Sequence, residues 1–246
     1  MTTRVALVTG GTGGIGTEIC KALANAGHQV AASWLAGVDD GEGWQAKQKA
    51  DGFDFVIAEG NVADFAAATT MVKEAETKLG PIDILVNCAG ITRDGLMHKM
   101  VEEQWNSVIH TNLDSVFNVT RAVITGMRTR KFGRIINISS VNGQKGQIGQ
   151  TNYSAAKAGM HGFTMALAQE SARKGITVNT ISPGYVATNM VAAMGEKMIK
   201  AMVSQIPVGR LGKPEEIARV VTFLAAEESS FITGANIAIN GGMYMG

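Results

Sequence analysis

Short apolar runs alternate with segments of helical length from one end of this sequence to the other. The runs are "RVALVT" (4–9), "QVAASW" (29–34), "FDFVIA" (53–58), "IDILVN" (82–87), "RIINIS" (134–139), "TVNTIS" (177–182) and "NIAIN" (236–240). Several are rich in Val and Ile with little polar alternation, the pattern of parallel strands covered on both faces. Helical candidates lie between them at 14–26, 64–79, 101–111, 113–131, 152–174 and 214–227. All four prolines (Pro81, Pro183, Pro207 and Pro214) fall at the proposed boundaries, where a missing N–H costs least. The expected fold is α/β, a doubly wound parallel sheet of about seven strands with helices on both faces.

A chain of 246 residues can bury such a core as one unit, and no repeat, low-complexity tract or linker divides it. A single domain over residues 1–246 is therefore expected. Apolar residues make up 46% and charged residues 17%, which suits a compact enzyme-like domain and not a disordered chain. The formal net charge of +1 provides no global field for nucleic acid or an anionic membrane, so neither is an expected partner. No apolar run is long enough to span a bilayer. "MTTRVALVTG" enters a strand at once, leaving no room for a signal peptide, and the expected location is the cytoplasm. Cys20 and Cys88 fit neither a disulfide framework nor metal-ligand spacing, and Cys20 reads as a small core residue. The histidines at 28, 98, 110 and 161 are scattered, so no metal is expected.

"VTGGTGGIG" (8–16) joins the first strand to the first helix. Gly11, Gly13 and Gly16 satisfy G-x-G-x-x-G, while Gly10, Gly14 and Gly16 satisfy G-x-x-x-G-x-G. Such glycines permit a tight turn and let the backbone approach a pyrophosphate at a helix N-terminus. The strand–turn–helix context points to a Rossmann-type dinucleotide site, and the loop lacks the Gly-Lys-Ser/Thr ending of a P-loop. The second strand ends "ASWLAGVDDGEG" (32–43), without Lys or Arg and with Asp39, Asp40 and Glu42. A ribose 2′-phosphate would meet negative charge there, which favours NADH over NADPH.

In "QTNYSAAKAG" (150–159), Tyr153 and Lys157 are four residues apart and share one helix face, with Thr151 a candidate cap. Ser140 lies thirteen residues before Tyr153, at the end of the fifth strand, and ligands of open α/β sheets bind at such ends. A phenol titrates near 10 in isolation, and a neighbouring ammonium is expected to lower it toward the working range. A helix-face pair and a helix-capping serine are the purely structural readings of the same residues.

Thr9-Gly10-x-x-x-Gly14-x-Gly16, Asn87-Cys88-Ala89-Gly90, Asn112, Ser140, Tyr153-x-x-x-Lys157 and Pro183-Gly184 together resemble the short-chain dehydrogenase/reductase family over almost the whole chain. The resemblance implies that Tyr153 donates a proton to a carbonyl oxygen and that Ser140, preferred over Ser139 by its spacing, is its hydrogen-bond partner. It further implies that Lys157 lowers the Tyr153 pKa and binds the nicotinamide ribose, and that Asn112 holds a water for proton resupply. Cofactor contacts are implied for Gly10, Gly13, Gly14, Ile15, Gly16, Asn61, Val62, Asn87, Ala89, Gly90, Tyr153, Lys157, Pro183, Gly184, Val186 and Thr188. Two positions depart from the pattern: Cys88 stands where the family usually has a second Asn, and Asn61 where many relatives have an Asp.

Within the family, "NCAGITRDGLMHKM" and "NGGMYMG" resemble the branch that reduces 3-oxoacyl thioesters. "SSVNGQKGQIGQTNYSAAKAG" and "SPGYVAT" resemble its members acting on acetoacetyl-CoA in polyhydroxyalkanoate synthesis. The implied substrate is acetoacetyl-CoA or another short 3-oxoacyl thioester, with Ser140, Gln147, Gln150, Tyr153 and Tyr185 in contact and a homotetramer as the assembly. Reduction of an acyl-carrier-protein thioester is the rival reading, and a non-catalytic nucleotide sensor or scaffold is the rival of another class. Rim cations for either thioester are sought among Arg93, Lys99, Arg130, Lys131 and Arg173. Residues 187–213 carry methionines at 190, 194, 198 and 202, read either as a packed helix face or as an apolar flap over the site.

Overall fold

A computed structural model of the chain describes residues 3–188, 191 and 195–245. Seven strands form one sheet: β1 (Val5–Val8), β2 (Gln29–Trp34), β3 (Val56–Glu59), β4 (Ile84–Asn87), β5 (Gly133–Ile138), β6 (Ile176–Pro183) and β7 (Asn236–Ile239). Every pairing is parallel, in the order β3-β2-β1-β4-β5-β6-β7. Among the described residues the α-helices include α1 (Gly14–Asn25), α2 (Gly41–Ala50), α3 (Phe65–Leu79), α4 (Glu102–Ile109), α5 (Ser115–Arg130), α6 (Asn142–Lys145), α7 (Thr151–Ser171), α8 (Glu196–Val203) and α9 (Pro214–Ala225).

The lack of polar alternation in the strands has a direct cause. Successive side chains point to opposite faces of a strand, and here both faces are covered. Ala6 and Val8 of β1 share a core with Ile19 and Leu23 of α1 and with Ile217, Val221 and Leu224 of α9. Val5 and Leu7 share the opposite core with Met71 and Val72 of α3 and Val119, Val123 and Met127 of α5. In β4 and β5 the same alternation sends Ile84, Val86, Ile136 and Ile138 to the first core and Leu85 and Ile135 to the second. Each fully buried Leu, Ile or Val contributes roughly 1.5–3 kcal/mol, so two such layers supply the main driving force.

Strand order reverses direction between β1 and β4, which opens a crevice beyond their carboxyl ends. The glycine loop leaves β1 into that crevice, and residues 88–90 leave β4 beside it. The two helices expected at 101–111 and 113–131 form one path, broken at residue 112 by a single π-helical turn, His110–Asp114. Such turns bulge the backbone outward and concentrate at functional sites.

Three elements lie outside the expected helices. α2 begins with glycines at 41 and 43, which weaken a helical pattern, but the Asp40 carboxylate caps it by accepting the Gly43 N–H at 2.9 Å. The short α6 follows β5. α8 falls within residues 187–213 and buries no side chain. No helix among the described residues is long and apolar enough to cross a membrane.

Candidate active site

Gly10 turns the chain out of β1 with φ at +60°, a left-handed conformation that favours glycine. Its N–H donates to Ser33 Oγ at 3.1 Å, and the next N–H, of Gly11, donates to the Ser33 carbonyl at 3.1 Å. A Cβ on Gly16 would overlap the Gly10 carbonyl oxygen, so α1 can start here only with glycine at that position. Gly14, the first residue of α1, faces Thr188, which brings the loop against the chain leaving β6. Ile15 is half-buried behind it.

This crevice fits a dinucleotide. Gly13 caps α1 without a side-chain hydrogen bond, and no acidic residue occupies the first turn. The helix N-terminus therefore keeps donors and positive dipole character for a phosphate. Thr12 Oγ1, buried in the same loop, has no hydrogen-bond partner within the protein. Among the described residues no three His, Cys, Asp or Glu side chains are grouped to hold a metal ion.

Thr9 binds the two crevice walls together. Its Oγ1 accepts the N–H groups of Cys88 at 3.0 Å and Ala89 at 3.1 Å. Gly90 then passes so close to Asn112 that a Cβ would lie 2.6 Å from Oδ1, and 3.4 Å from Lys157 Nζ. The Asn87 side chain is buried at the end of β4. Its Nδ2 donates to Asn137 Oδ1 at 2.8 Å, and Asn137 donates to Thr164 Oγ1 at 2.9 Å in a chain of buried polar groups. Asn61 is exposed after β3 and uses its side-chain oxygen to accept the Ala63 N–H, while buried Val62 gives its carbonyl to Asn118. Pro183 closes β6 and accepts the Val141 N–H at 2.8 Å, fixing the β5 and β6 ends to each other. Gly184 packs on the Asn240 backbone, and Val186 bridges to Gly212.

Ser140, Tyr153 and Lys157 meet at the end of β5. The two adjacent serines are distinguished by their hydrogen bonds. Ser139 Oγ donates to the Lys157 carbonyl at 2.8 Å, so its proton is engaged. Ser140 Oγ accepts the Asn142 N–H at 3.1 Å and lies close enough to the Tyr153 phenol to lower its pKa. Lys157 Nζ donates to the Ile138 carbonyl at 2.8 Å and lies 5.6 Å from the centre of the Tyr153 ring.

The electrostatics differ from the expectation that Lys157 would pull the Tyr153 pKa down. Burial pushes the phenol up to about 12; the neighbouring Ser140 hydroxyl opposes this, and Cys88 and Asp94 reinforce it. Burial likewise lowers Lys157 to about 8. Both shifts have one cause, since desolvation penalises a phenolate and an ammonium alike. The ammonium is directed at Ile138, and the phenol keeps its proton. The Cys88 thiol beside them is raised to about 11 by burial, so it stays protonated at neutral pH.

Asn112 does not present a free side-chain amide. Its Oδ1 accepts the Ile91 N–H at 2.8 Å and its Nδ2 donates to the Ile91 carbonyl at 2.8 Å. Gln150 is also engaged: Nε2 donates to both Asp94 carboxylate oxygens at 3.1 and 2.9 Å, and Oε1 accepts Asn142 Nδ2 at 2.9 Å. It is a strut between the loop after β4 and the residue that holds Ser140. Gln150, not Thr151, occupies the cap position of α7, and Thr151 Oγ1 faces the sulfurs of Met97 and Met100. Gln147 and Tyr185 are half-buried, and the Tyr185 carbonyl accepts the Gly212 N–H at 2.9 Å.

Asp94 and Asn142 escaped the sequence reading, and Thr9 entered it as part of a motif but without a role. Thr9 and Asp94 act through hydrogen bonds to residues distant along the chain, which no spacing rule reveals, and Asn142 acts on Ser140 and Gln150 nearby. Asn152 adds a clamp, with Nδ2 on the carbonyls of Arg93 and Gln104 and Oδ1 on the Tyr153 N–H. Its position beside Tyr153 was the available signal. Of the five rim cations, Arg130 is tied to Asp83 and Ile82 at the amino end of β4. Lys131 and Arg173 likewise precede β5 and β6, so these three lie at the edge of the sheet opposite the crevice. Arg93 and Lys99 follow β4 on the crevice side. Residues 187–213 begin and end at the Val186–Gly212 bridge. Met198 and Met202 lie on α8, while Met190 and Met194 are outside the described residues.

The short chain dehydrogenase family model matches residues 4–199. An acetoacetyl-CoA reductase of Cupriavidus necator is 56% identical over 246 residues, covering all of both chains. An acetoacetyl-CoA reductase of Allochromatium vinosum is 56% identical over 243 residues, covering 98% of this chain and 99% of that one. A 3-oxoacyl-[acyl-carrier-protein] reductase of Staphylococcus aureus is 43% identical over 243 residues, covering 99% of each.

Proposed function

The chain belongs to the short-chain dehydrogenase family, and from that premise we propose that it reduces acetoacetyl-CoA to (R)-3-hydroxybutyryl-CoA. As a member it is an oxidoreductase that uses a nicotinamide dinucleotide, which leaves the sensor or scaffold reading without support. The observation that carries the proposal is the end-to-end match at 56% identity to acetoacetyl-CoA reductases. The 43% match to a carrier-protein reductase keeps that activity as the second reading.

The glycine loop and the N-terminus of α1 would hold the reduced dinucleotide, whose chemistry would be to supply a hydride to the 3-keto carbon. Tyr153 holds a proton on Oη, and its raised pKa keeps that proton in place until an alkoxide develops to receive it. Ser140 Oγ, oriented by the Asn142 N–H, donates toward the same oxygen and aligns the carbonyl. Lys157 contributes a buried positive charge below the phenol and a hydrogen bond for the cofactor ribose. Asn112 packs against Gly90 beside Lys157, and its two bonds to the Ile91 main chain fix it where it would hold a water for proton resupply.

NADH is the preferred cofactor in this reading. Asp39 and Asp40 both follow β2, where a 2′-phosphate would sit, and no Lys or Arg lies between Trp34 and Glu42. Capping of α2 occupies Asp40 but leaves its charge in place. Residues 187–213, anchored at the Val186–Gly212 bridge, serve as the substrate flap of a single catalytic domain. Exposed Phe117 of α5 and Met165 of α7 support assembly through these helices into a homotetramer. Its product feeds polyhydroxyalkanoate synthesis in the cytoplasm.

The test is a kcat/KM matrix of NADH and NADPH against acetoacetyl-CoA and an acyl-carrier-protein thioester. The proposal expects the largest value for NADH with acetoacetyl-CoA. A large preference for the carrier-protein thioester would transfer the assignment to the second reading.

A further inference from the structure

His161 lies one helical turn after Lys157 on α7, half-buried where the ends of β5, β6 and β7 meet. Its Nε2 is 3.0 Å from Ser139 Oγ, 3.4 Å from Ser182 Oγ and 3.5 Å from Asn236 Nδ2. The proton inventory of this cluster fixes the role of the ring. A main-chain carbonyl only accepts, so the 2.8 Å contact between Ser139 Oγ and the Lys157 carbonyl needs the serine proton. Ser182 Oγ likewise gives its proton to Asn236 Oδ1 at 2.7 Å. Both hydroxyls therefore present lone pairs to Nε2 and outweigh the longer approach of Asn236 Nδ2, itself a donor, so Nε2 carries the hydrogen and makes no hydrogen bond with that amide. Burial lowers the pKa of the ring, which stays neutral at pH 7 with a bare Nδ1.

We propose that His161 is a positioning residue: its Nε2–H fixes the Ser139 hydroxyl, which holds the Lys157 carbonyl against the end of β5. Three consecutive residues of that strand end then serve one purpose. Ile138 holds the ammonium of Lys157, Ser139 holds its carbonyl, and Ser140 faces Tyr153. The register between α7 and β5, and with it the spacing of Tyr153 and Lys157 from Ser140, depends on this double attachment. Misplacement by about 1 Å costs an enzyme on the order of a hundredfold in rate, so a second-layer hydrogen bond is enough to matter.

The inference rests on the reading of Ser140, Tyr153 and Lys157 as the reacting set; turnover by the unsubstituted chain tests that reading separately. Nitrogen-15 NMR of the histidine rings tests the tautomer without any assay, and His161 should be Nε2-protonated. An Nδ1-protonated ring would overturn the proposal. Kinetics test the coupling. His161→Leu should lower kcat by about tenfold with the KM for acetoacetyl-CoA nearly unchanged, and His161→Gln, which retains an N–H donor, should recover most of it. The double variant Ser139→Ala/His161→Leu should be no slower than Ser139→Ala alone. Where the Leu variant does not fold, the same cycle is run with His161→Asn, whose shorter amide cannot reach Ser139. Multiplying losses in the double variant, or a Gln variant as slow as the Leu or Asn variant, would overturn the proposal.

Discussion

The ammonium of Lys157 donates to the main-chain carbonyl of Ile138 at 2.8 Å, at the end of the strand that carries Ser140. This bond fixes a cation in a dry site, where burial brings its pKa down to about 8. The group remains charged at neutral pH but titrates within an accessible range.

A pH dependence follows. kcat/KM reports groups of the free enzyme, so it should be level near neutrality and fall as pH rises through about 8, where Lys157 loses its charge. Stability of the ligand-free fold should have the opposite slope. The folded pKa lies below that of a free lysine, so the unfolded chain binds more protons there, and the Lys157 contribution to stability increases with pH. Initial rates and thermal melts across about pH 6–11, a range spanning both the folded and the free lysine values, check both signs.

Gln150 should behave as a strut and not only as a substrate contact. Its amide joins Asp94 to Asn142, whose N–H holds Ser140. Gln150→Glu would bring a second carboxylate against Asp94 and remove the donor. We expect kcat to fall about tenfold or more along with any rise in KM. A change confined to KM would assign Gln150 to substrate binding alone.

The carboxylates after β2 have separable effects. Asp40→Ala should cost about 1 kcal/mol of stability through loss of the α2 cap, read as a lower unfolding midpoint. Asp39→Arg should raise the kcat/KM ratio of NADPH to NADH by about tenfold, since it replaces a repulsive charge with a phosphate partner.

Thr9 accepts two N–H groups from the chain leaving β4. Thr9→Val keeps the shape and removes the acceptor, at a cost of about 1–3 kcal/mol for each buried donor left unpaired. Cofactor affinity should weaken as the two crevice walls separate, which a binding titration against NADH measures.

The fold was legible because its determinants are local and repetitive. Strand runs without polar alternation implied cover on both faces, and Val5 through Val8 do alternate between two cores. The gap left at residue 112 between two helical patterns coincides with the π turn. The meeting of Ser140, Tyr153 and Lys157 was legible for a different reason, that strand ends and one helix face fix three positions. α2 was hidden by Gly41 and Gly43, since its cap outweighs their weak propensity. The direction of the Tyr153 shift was also hidden. A sequence shows that an ammonium is near, but not that burial acts on both partners or that Lys157 points to Ile138. Asp94 and Thr9 depend on contacts across 56 and 79 residues of chain, which no local pattern encodes.

The central claim is that Tyr153 protonates the developing alkoxide of a 3-oxoacyl-CoA, and one comparison tests it. NADH oxidation with acetoacetyl-CoA is followed for the unsubstituted chain and for Tyr153→Phe, with NADH affinity measured on both. Turnover should be lost by about a hundredfold or more in Tyr153→Phe, with NADH bound as before. Near-normal turnover in Tyr153→Phe, or none from the unsubstituted chain, would contradict the account.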